Sequence, residues 1–316
     1  MAFIFRALLL FAAIVTADSA RAADVTLKLG DLGPSGGTLY QRLALANGIY
    51  HKYGIDLQFV DFLQGGPEVT AAAASNQIDM GQVGTPVLTA ISHGLSIRVV
   101  GSPPRKGQPF ILVGRPEITD VAQLKGKLVG FSSVGGGSSQ ALAVILKAHG
   151  LTEADVGKIA YGAGGNGYLS LKSGRLAAAV LAEPYATRAE LDGVGKILAE
   201  ADQYFPHYQH SYVFATRKFI NEHPDTIRAY FQADREARQY AKAHLEDLVA
   251  LGRKTLGLEP ALLRMVLTKE LAKWSDGAAV DTEGLLNAVA IVRELGDISK
   301  TYQPDIDQIV DARFAN

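Results

Sequence analysis

The sequence predicts an α/β fold with two lobes, each doubly wound around a mainly parallel sheet. Short β-type runs alternate with helix-periodic segments, which is typical of such folds. A turn, an apolar strand and a small-residue turn ending in proline occur at 76–86 and again at 174–184, about 98 residues later. Glycine turns precede both copies, at 36–38 and 136–138. Identity between the copies is low, so ordinary α/β regularity is the alternative explanation.

Each element of the first half has a local signal. Apolar and β-branched runs predict strands, and periodic apolar residues bounded by turns predict helices. Gly54 fits the position after a helix, and Pro86 fits the first turn of one. The predicted strands are 25–29, 55–60, 78–83 and 97–101; the predicted helices are 39–53, 67–74 and one beginning at Pro86, with a glycine-rich turn at 30–38.

The second half repeats this plan and ends in helices. Gly150 closes a helix over 141–148, and Thr152 with Asp155 has the spacing of a capping box. Pro224 opens a long helix that carries apolar residues as far as Leu248. The predicted strands are 110–113, 128–131, 158–161, 176–181 and 196–198, with a return strand at 212–215.

Residues 1–22 have the pattern of a cleaved signal peptide. Arg6 precedes an apolar run over 7–15, and Ala20-Arg21-Ala22 supplies small residues for cleavage near Ala22. The run is too short to span a bilayer, and no later stretch predicts a transmembrane helix. A buried N-terminal helix is the alternative. We expect an exported, soluble protein in the periplasm.

Composition excludes several classes of function. The net charge is −1 and no basic block is present, so nucleic-acid binding is not expected. The chain contains no cysteine, which excludes disulfides, thiolate zinc sites, a cysteine nucleophile and a lipid-modified cysteine. The histidines lack paired metal-ligand spacing, and neither a Gly-X-Ser-X-Gly elbow nor a nucleotide P-loop occurs. No catalytic residue, metal or cofactor is predicted.

The turns after the strands are the candidate ligand site. Ligands of open parallel sheets bind beyond the carboxyl ends of the strands, where helix N-termini offer free N–H groups and partial positive charge. Glycine permits close approach, and serine or threonine hydroxyls add hydrogen bonds. The candidate ligand-binding residues are Ser35, Gly36, Gly37, Thr38, Gly84, Thr85, Ser132, Ser133, Gly136, Ser138, Asn166, Glu183, Tyr185 and His210.

Each candidate also has a purely structural interpretation. The turns at 35–38, 84–86 and 132–139 could be ordinary helix starts. Glu183 could cap the helix at Pro184, and Asn166 could be a left-handed turn residue. Tyr185 and His210 could be packed or exposed residues. Trp274 is expected in the core.

Several stretches resemble a known group of proteins. Residues 52–57, 75–81, 171–179 and 183–185 resemble the aliphatic-sulfonate, nitrate, taurine and thiamine-precursor group of periplasmic binding proteins, through their order and spacing over about 24–250. The resemblance implies a type II periplasmic-binding fold with two hinge strands, at 110–114 and 211–215. It implies a first lobe from 23–108 completed by 208–316, and a second lobe from 109–207.

The resemblance also implies a function. We expect the solute-binding component of an ABC importer, a monomer that delivers a small mono-anionic or zwitterionic organic solute to permease and ATPase subunits. Glu183 would repel a multiply charged anion and suit an amine or a hydroxyl. An enzyme on the same fold, acting on a small heterocycle or sulfur compound, is one alternative. The enzymes of this fold that are best understood depend on cysteine, which is missing here. A ligand-presenting sensory module is the other.

Overall fold

The computed structural model describes residues 24–35, 37–205 and 207–315. The predicted signal peptide, residues 1–22, and the candidate Gly36 lie outside them. The strands in this part of the chain are β1 Val25–Asp31, β2 Ile55–Asp61, β3 Met80–Val83, β4 Ile97–Gly101, β5 Ile111–Gly114, β6 Leu128–Phe131, β7 Gly157–Ala160, β8 Ala178–Leu181, β9 Lys196–Glu200 and β10 Tyr212–Thr216.

Helices surround these strands and dominate the C-terminal third. They are α1 Leu39–Ala46, α2 Ile49–Lys52, α3 Gly66–Ala74, α4 Pro86–Ser92, α5 Gly137–Ala148, α6 Asn166–Lys172, α7 Tyr185–Leu191, α8 Arg217–Glu222, α9 Pro224–Ala243, α10 Leu245–Leu256, α11 Pro260–Ala272, α12 Thr282–Glu294 and α13 Ile306–Ile309. No helix in the described ranges is both long and apolar enough to cross a membrane.

The strands form two five-stranded sheets with one shared plan. The first sheet has the order β2-β1-β3-β10-β4, and the second has the order β7-β6-β8-β5-β9. Each sheet contains one antiparallel strand, which the chain forms directly after passing over from the other sheet. Strand β10 lies between β3 and β4, and strand β5 lies between β8 and β9. The repeated segments at 76–86 and 174–184 thus contain equivalent central strands. The predicted two-lobed α/β fold is confirmed.

The chain passes between the sheets twice. It leaves β4 through residues 102–110, the first crossing, and leaves β9 through a second crossing, whose described residues are 201–205 and 207–211. The strands predicted as hinges, β5 and β10, each follow a crossing and insert antiparallel into the sheet that the chain enters. The first lobe is defined here by the first sheet and its helices, and the second lobe by the second sheet.

A hydrophobic cluster continues from one lobe into the other. Val69 and Phe214 of the first lobe belong to the same buried cluster as Val129 and Ile145 of the second. Helix α12 adds Leu285 to this cluster. Its end also contacts α5, where Gln140 Nε2 donates to Asp297 at 3.1 Å and Lys147 pairs with Glu294. The C-terminal helices therefore touch both lobes.

Two predicted helices are each divided in two, which corrects the sequence analysis. The helix expected over 39–53 breaks at Gly48, whose φ of +69° is left-handed and ends α1. The long helix from Pro224 breaks at His244, where the backbone leaves helical geometry between α9 and α10. Apolar periodicity continues across both breaks, so periodicity alone could not reveal them.

Most local predictions are confirmed. Gly54 has a φ of +75° beyond α2, and Pro86 is the first residue of α4. Thr152 and Asp155 form both hydrogen bonds of the capping box. Trp274 is buried. The turn predicted from Gly30 begins only after Asp31, because β1 runs to that residue.

Candidate functional site at the lobe junction

The glycine turn after β6 is held by its own serine hydroxyls. Ser138 Oγ accepts a hydrogen bond from the Ser132 backbone N–H at 2.9 Å and lies 2.6 Å from Ser132 Oγ. Gly136 is the N-cap of α5 and has no side chain to cap it. A Cβ on Gly136 would lie 2.3 Å from Ser133 Oγ and 3.3 Å from the Ser133 carbonyl oxygen, so a side chain at this position would displace the Ser133 hydroxyl.

The first-lobe partner of this turn is the loop between β2 and α3. A Cβ on Gly65 would lie 2.4 Å from Ser133 Oγ, which places the two backbones in close approach. Gly65 also has a φ of +106°, a conformation suited to glycine. Nearby, the Ala163 backbone N–H donates to the Leu63 carbonyl at 3.0 Å. The lobes thus meet directly at this point.

A groove of about 610 Å³ runs along this meeting point. It is lined by Leu63, Gln64, Pro67 and Glu68 from the first lobe and by Ser132, Ser133, Val134, Ala160, Tyr161, Gly162, Ala163 and Asn166 from the second. Hydroxyl and amide groups are available from both serines, Gln64 and Asn166. Glu68 is the one carboxylate in the lining, which contains no lysine or arginine.

A second set of contacts joins the lobes deeper in the molecule. Thr85 Oγ1, at the start of α4, donates to Gln140 Oε1 on α5 at 2.5 Å. A Cβ on Gly84 would lie 3.1 Å from the His210 carbonyl oxygen, and one on Gly137 would lie 3.3 Å from His210 Cε1. The second crossing is therefore packed between the starts of α4 and α5.

His210 is an uncharged imidazole in this setting. Its ring packs edge-on against Phe110 of the first crossing, with centroids 5.3 Å apart. Its Nδ1 atom is buried without a hydrogen-bond partner among the described residues. Burial lowers the pKa of His210 to about 3, with a smaller contribution from the positive charge of Arg105. Protonation would therefore oppose the packing of this junction.

A buried carboxylate lies at the end of β1. Asp31 pairs with Arg42 at 3.3 Å, and Arg42 also pairs with Asp61 at 2.5 Å. Burial raises the pKa of Asp31 to about 6, although the Leu32 backbone N–H and Arg42 act in the opposite direction. The Asp31 carboxyl group is paired with Arg42 within the first lobe, so we assign it a structural role.

Apart from Gly36, Glu183 and Tyr185, the predicted residues fall into three groups. Ser132, Ser133 and Asn166 line the groove. Gly84, Thr85 and His210 meet deeper in the junction, next to the first turn of α5 that Gly136 and Ser138 build. Ser35 and Thr38 bond each other, with Ser35 N–H donating to Thr38 Oγ1 at 3.2 Å. Gly37 lies between them. Whether 35–38 contact a ligand stays a prediction.

Three candidates can be compared with their structural alternatives. The Glu183 carboxylate accepts hydrogen bonds from the Thr187 N–H at 3.1 Å and from its hydroxyl at 2.7 Å, as the capping alternative predicts. Asn166 is exposed and begins α6 without left-handed geometry. Tyr185 packs against hydrophobic clusters of both lobes.

Sequence reasoning missed several residues at the junction. Gly65 was not singled out, although Gly65-Gly66-Pro67 is a glycine turn after a strand and resembles the turns that were chosen. Gln140 lies one turn after the start of α5, and its nearness to the glycine turn before that helix is the one sequence signal that could have pointed to it. Gln108 and Tyr208 lie on the crossings, where no sequence signal marked them. Within the described ranges, no group of three or more side chains is placed to hold a metal ion.

A family model decides the relationship of this chain. The model described as NMT1/THI5 like matches residues 40–247, which is more than half of the sequence. The chain belongs to the NMT1/THI5-like family. The match spans strands of both sheets and both crossings. A search of curated proteins found no significant match.

Several solved structures are similar to this protein over nearly the whole chain. The periplasmic aliphatic sulphonate-binding protein SsuA from Escherichia coli is 22% identical with a TM-score of 0.72, covering 90% of this chain and 97% of that one. The alkanesulfonate-binding protein SsuA from Xanthomonas axonopodis pv. citri, bound to MOPS, is 19% identical with a TM-score of 0.72 and covers 85% and 91%. The desulfurization enzyme DSZB is 16% identical with a TM-score of 0.59 and covers 92% and 97%. At these identities the likeness shows the fold, and the fold occurs in binders and in an enzyme.

Proposed function

We propose that this protein is the solute-binding component of an ABC importer, which captures a small organic solute between its lobes and delivers it to a permease. The observation that carries the proposal is the junction itself. Turns from both sheets meet there in a groove lined by hydroxyl, amide and carboxylate groups from both lobes. A solute that contacts both lobes would favour the closed arrangement of the lobes. The two similar sulfonate-binding proteins have the same fold.

The proposed solute is a zwitterionic or mono-anionic molecule of the sulfonate, taurine or thiamine-precursor type. The start of α5 offers backbone N–H groups to an anionic oxygen, and the Ser133 hydroxyl lies in the groove lining beside it. The Glu68 carboxylate accepts the Gln64 backbone N–H at 3.0 Å, and its negative charge suits an ammonium group. With no cation in the groove lining, the zwitterion is favoured over the simple anion.

The placement of the protein follows from the same proposal. We propose a periplasmic monomer whose first lobe comprises 23–108 and 208–316 and whose second lobe comprises 109–207. The enzyme alternative has the DSZB fold in its favour, but a cysteine nucleophile is excluded by composition. Incubation with candidate solutes followed by mass spectrometry separates the two functions, since a binding protein returns the solute unaltered.

A ligand screen by thermal shift tests the proposal directly. The protein is denatured and refolded to remove bound solute, then screened with sulfonates, taurine and thiamine-precursor pyrimidines. We expect stabilisation by one class and its loss in Gly136→Val, whose side chain would collide with Ser133. Gly277→Val is the matched control, because a Cβ there meets open space. Equal ligand stabilisation in wild type and Gly136→Val would remove the groove as the site.

A further inference from the structure

Each crossing carries a buried polar side chain without a partner. Gln108, on the first crossing, is 2% exposed, and neither its Oε1 nor its Nε2 makes a hydrogen bond within the described residues. Tyr208, on the second crossing, is 8% exposed, and its hydroxyl has no hydrogen bond there either. Leaving a buried polar group unpaired costs about 1–3 kcal/mol. Each such group in a folded protein needs an explanation, and a bound molecule that provides the missing partner is one.

These side chains lie together with the deep contact between the lobes. Thr85 and Gln108 lie close enough to the Tyr208 hydroxyl to act on its pKa as weak hydrogen-bonding neighbours, against the larger effect of burial, but neither is aligned for a full hydrogen bond with it. Thr85 in turn donates to Gln140. Thr85, Gln108, Gln140 and Tyr208 are named the junction cluster. Its members come from both lobes and both crossings.

The junction cluster contains no charge. Burial raises the pKa of Tyr208, so its hydroxyl stays neutral at any physiological pH. The guanidinium of Arg105, on the first crossing, is already paired with Glu270 at 3.0 Å and donates to the Gly107 carbonyl at 2.7 Å. The nearest carboxylates are already bonded to the cluster: Asp202 accepts the Gln108 backbone N–H at 2.7 Å, and Asp297 accepts a hydrogen bond from Gln140 Nε2 at 3.1 Å. An anionic group brought here would lose its hydration and meet these negative charges, which is strongly unfavourable.

We propose that the junction cluster binds an uncharged carboxamide-like group of the solute, with Gln108 pairing its own amide against the solute's N–H and C=O. An amide complements an unpaired amide, since each places N–H donors next to a carbonyl acceptor. The turn before α5 contributes Ser133 to the groove, and the first turn of α5 contributes Gln140 to the cluster. A solute with a charged end in the groove could therefore place its uncharged end here. This inference rests on the proposed function and specifies its ligand.

Matched solutes that differ only in an amide test this inference. The refolded protein is titrated with free asparagine and aspartate, glutamine and glutamate, nicotinamide and nicotinate, and with taurine, and thermal stabilisation is measured. We expect the amide member of at least one pair to stabilise the protein more than its acid. Gln108→Leu should weaken that binding about ten- to hundredfold, because two hydrogen bonds are lost. Tyr208→Phe should weaken it less.

Gln209 provides a matched control on the same crossing as Tyr208. Its Oε1 accepts the Asp281 backbone N–H at 2.6 Å, and its Nε2 donates to the Ser211 carbonyl at 3.0 Å. Gln209→Leu should lower the melting temperature of the unliganded protein and leave the affinity for the amide unchanged. Gln108→Leu should have the reverse pattern, since it removes an unpaired polar group from the unliganded protein.

The outcomes separate this inference from the proposed function. Stabilisation by acids or taurine alone, or an amide effect that survives Gln108→Leu, overturns the inference and leaves solute binding intact. An equal loss of affinity in Gln209→Leu also overturns it. Failure of every one of these amides to stabilise the protein overturns the inference, and the separate screen with sulfonates, taurine and thiamine-precursor pyrimidines then decides the proposed function.

Discussion

The two lobes share one strand order but differ in where they hold charge. Each has an aspartate–arginine pair four residues apart: Asp234 with Arg238 on α9 of the first lobe, and Arg188 with Asp192 at α7 of the second. The first pair is buried, with both side chains 3% exposed, whereas the second is 35% and 39% exposed. Equivalent sequence spacing therefore leads to different electrostatic environments.

The buried pair belongs to a polar network that connects helices of the first lobe. Tyr40 donates to Asp234 at 2.8 Å, and Gln41 on the same helix donates to Tyr230 at 2.9 Å. Arg238 donates to the Gly277 carbonyl at 3.0 Å. The described charged residues that are fully buried, Asp31, Asp234, Arg238, Glu270 and Asp311, all lie outside the second lobe. Buried ionisable side chains thus connect elements of the first lobe, whereas the second lobe contributes neutral hydroxyl and amide groups to the junction.

The largest expected effect breaks the buried pair. Asp234→Ala leaves Arg238 buried without its carboxylate and should lower the free energy of unfolding by about 3–5 kcal/mol. Asp192→Ala, the control in the second lobe, removes an exposed pair and a hydrogen bond from Tyr168 and should cost about 1 kcal/mol. Urea denaturation measures both. Equal losses would mean that the lobes do not differ in this way.

The next effect concerns pH and Asp31. Its pKa in the folded protein, about 6, is above the ordinary 3.8, so folding favours the protonated acid. Its stabilising contribution is complete below about pH 4 and is lost as the pH rises through 6, a change of about 3 kcal/mol. Asp31→Asn should remove this decline between pH 4 and 6 in urea titrations. Asp120→Asn, which alters an exposed helix cap in the second lobe, should leave the wild-type profile unchanged.

The smallest expected effect tests the contact between the lobes. Gly65→Ala should cost about 1–3 kcal/mol, because its Cβ would lie 2.4 Å from Ser133 Oγ and its φ is unfavourable for alanine. It should also increase the radius of gyration measured by small-angle X-ray scattering. Gly65→Ala with Ser133→Gly retains the backbone strain and removes the collision, so compactness should return. If the double variant remained expanded, steric contact with Ser133 would not explain the opening.

Much of the fold could be predicted because its signals are local. Gly54, Pro86 and the Thr152–Asp155 box each depend on neighbouring backbone groups, which the sequence alone specifies. The breaks at Gly48 and His244 were missed because apolar periodicity continues past them. The site was predicted only in part. The serines at 132 and 133 were found from a glycine turn, but their partner Gly65 was not.

The sequence by itself determined the alternation of strands and helices, the repeat of one plan in two halves, and the absence of cysteine chemistry. These depend on residue type and short spacing. Only the tertiary structure decided that Gly65 meets Ser133, that Thr85 bonds Gln140 and that Gln108 is buried unpaired. Such contacts join residues 55 and 68 positions apart, or bury a residue of a crossing between two sheets. No local pattern encodes them, because they exist only once both lobes have folded and met.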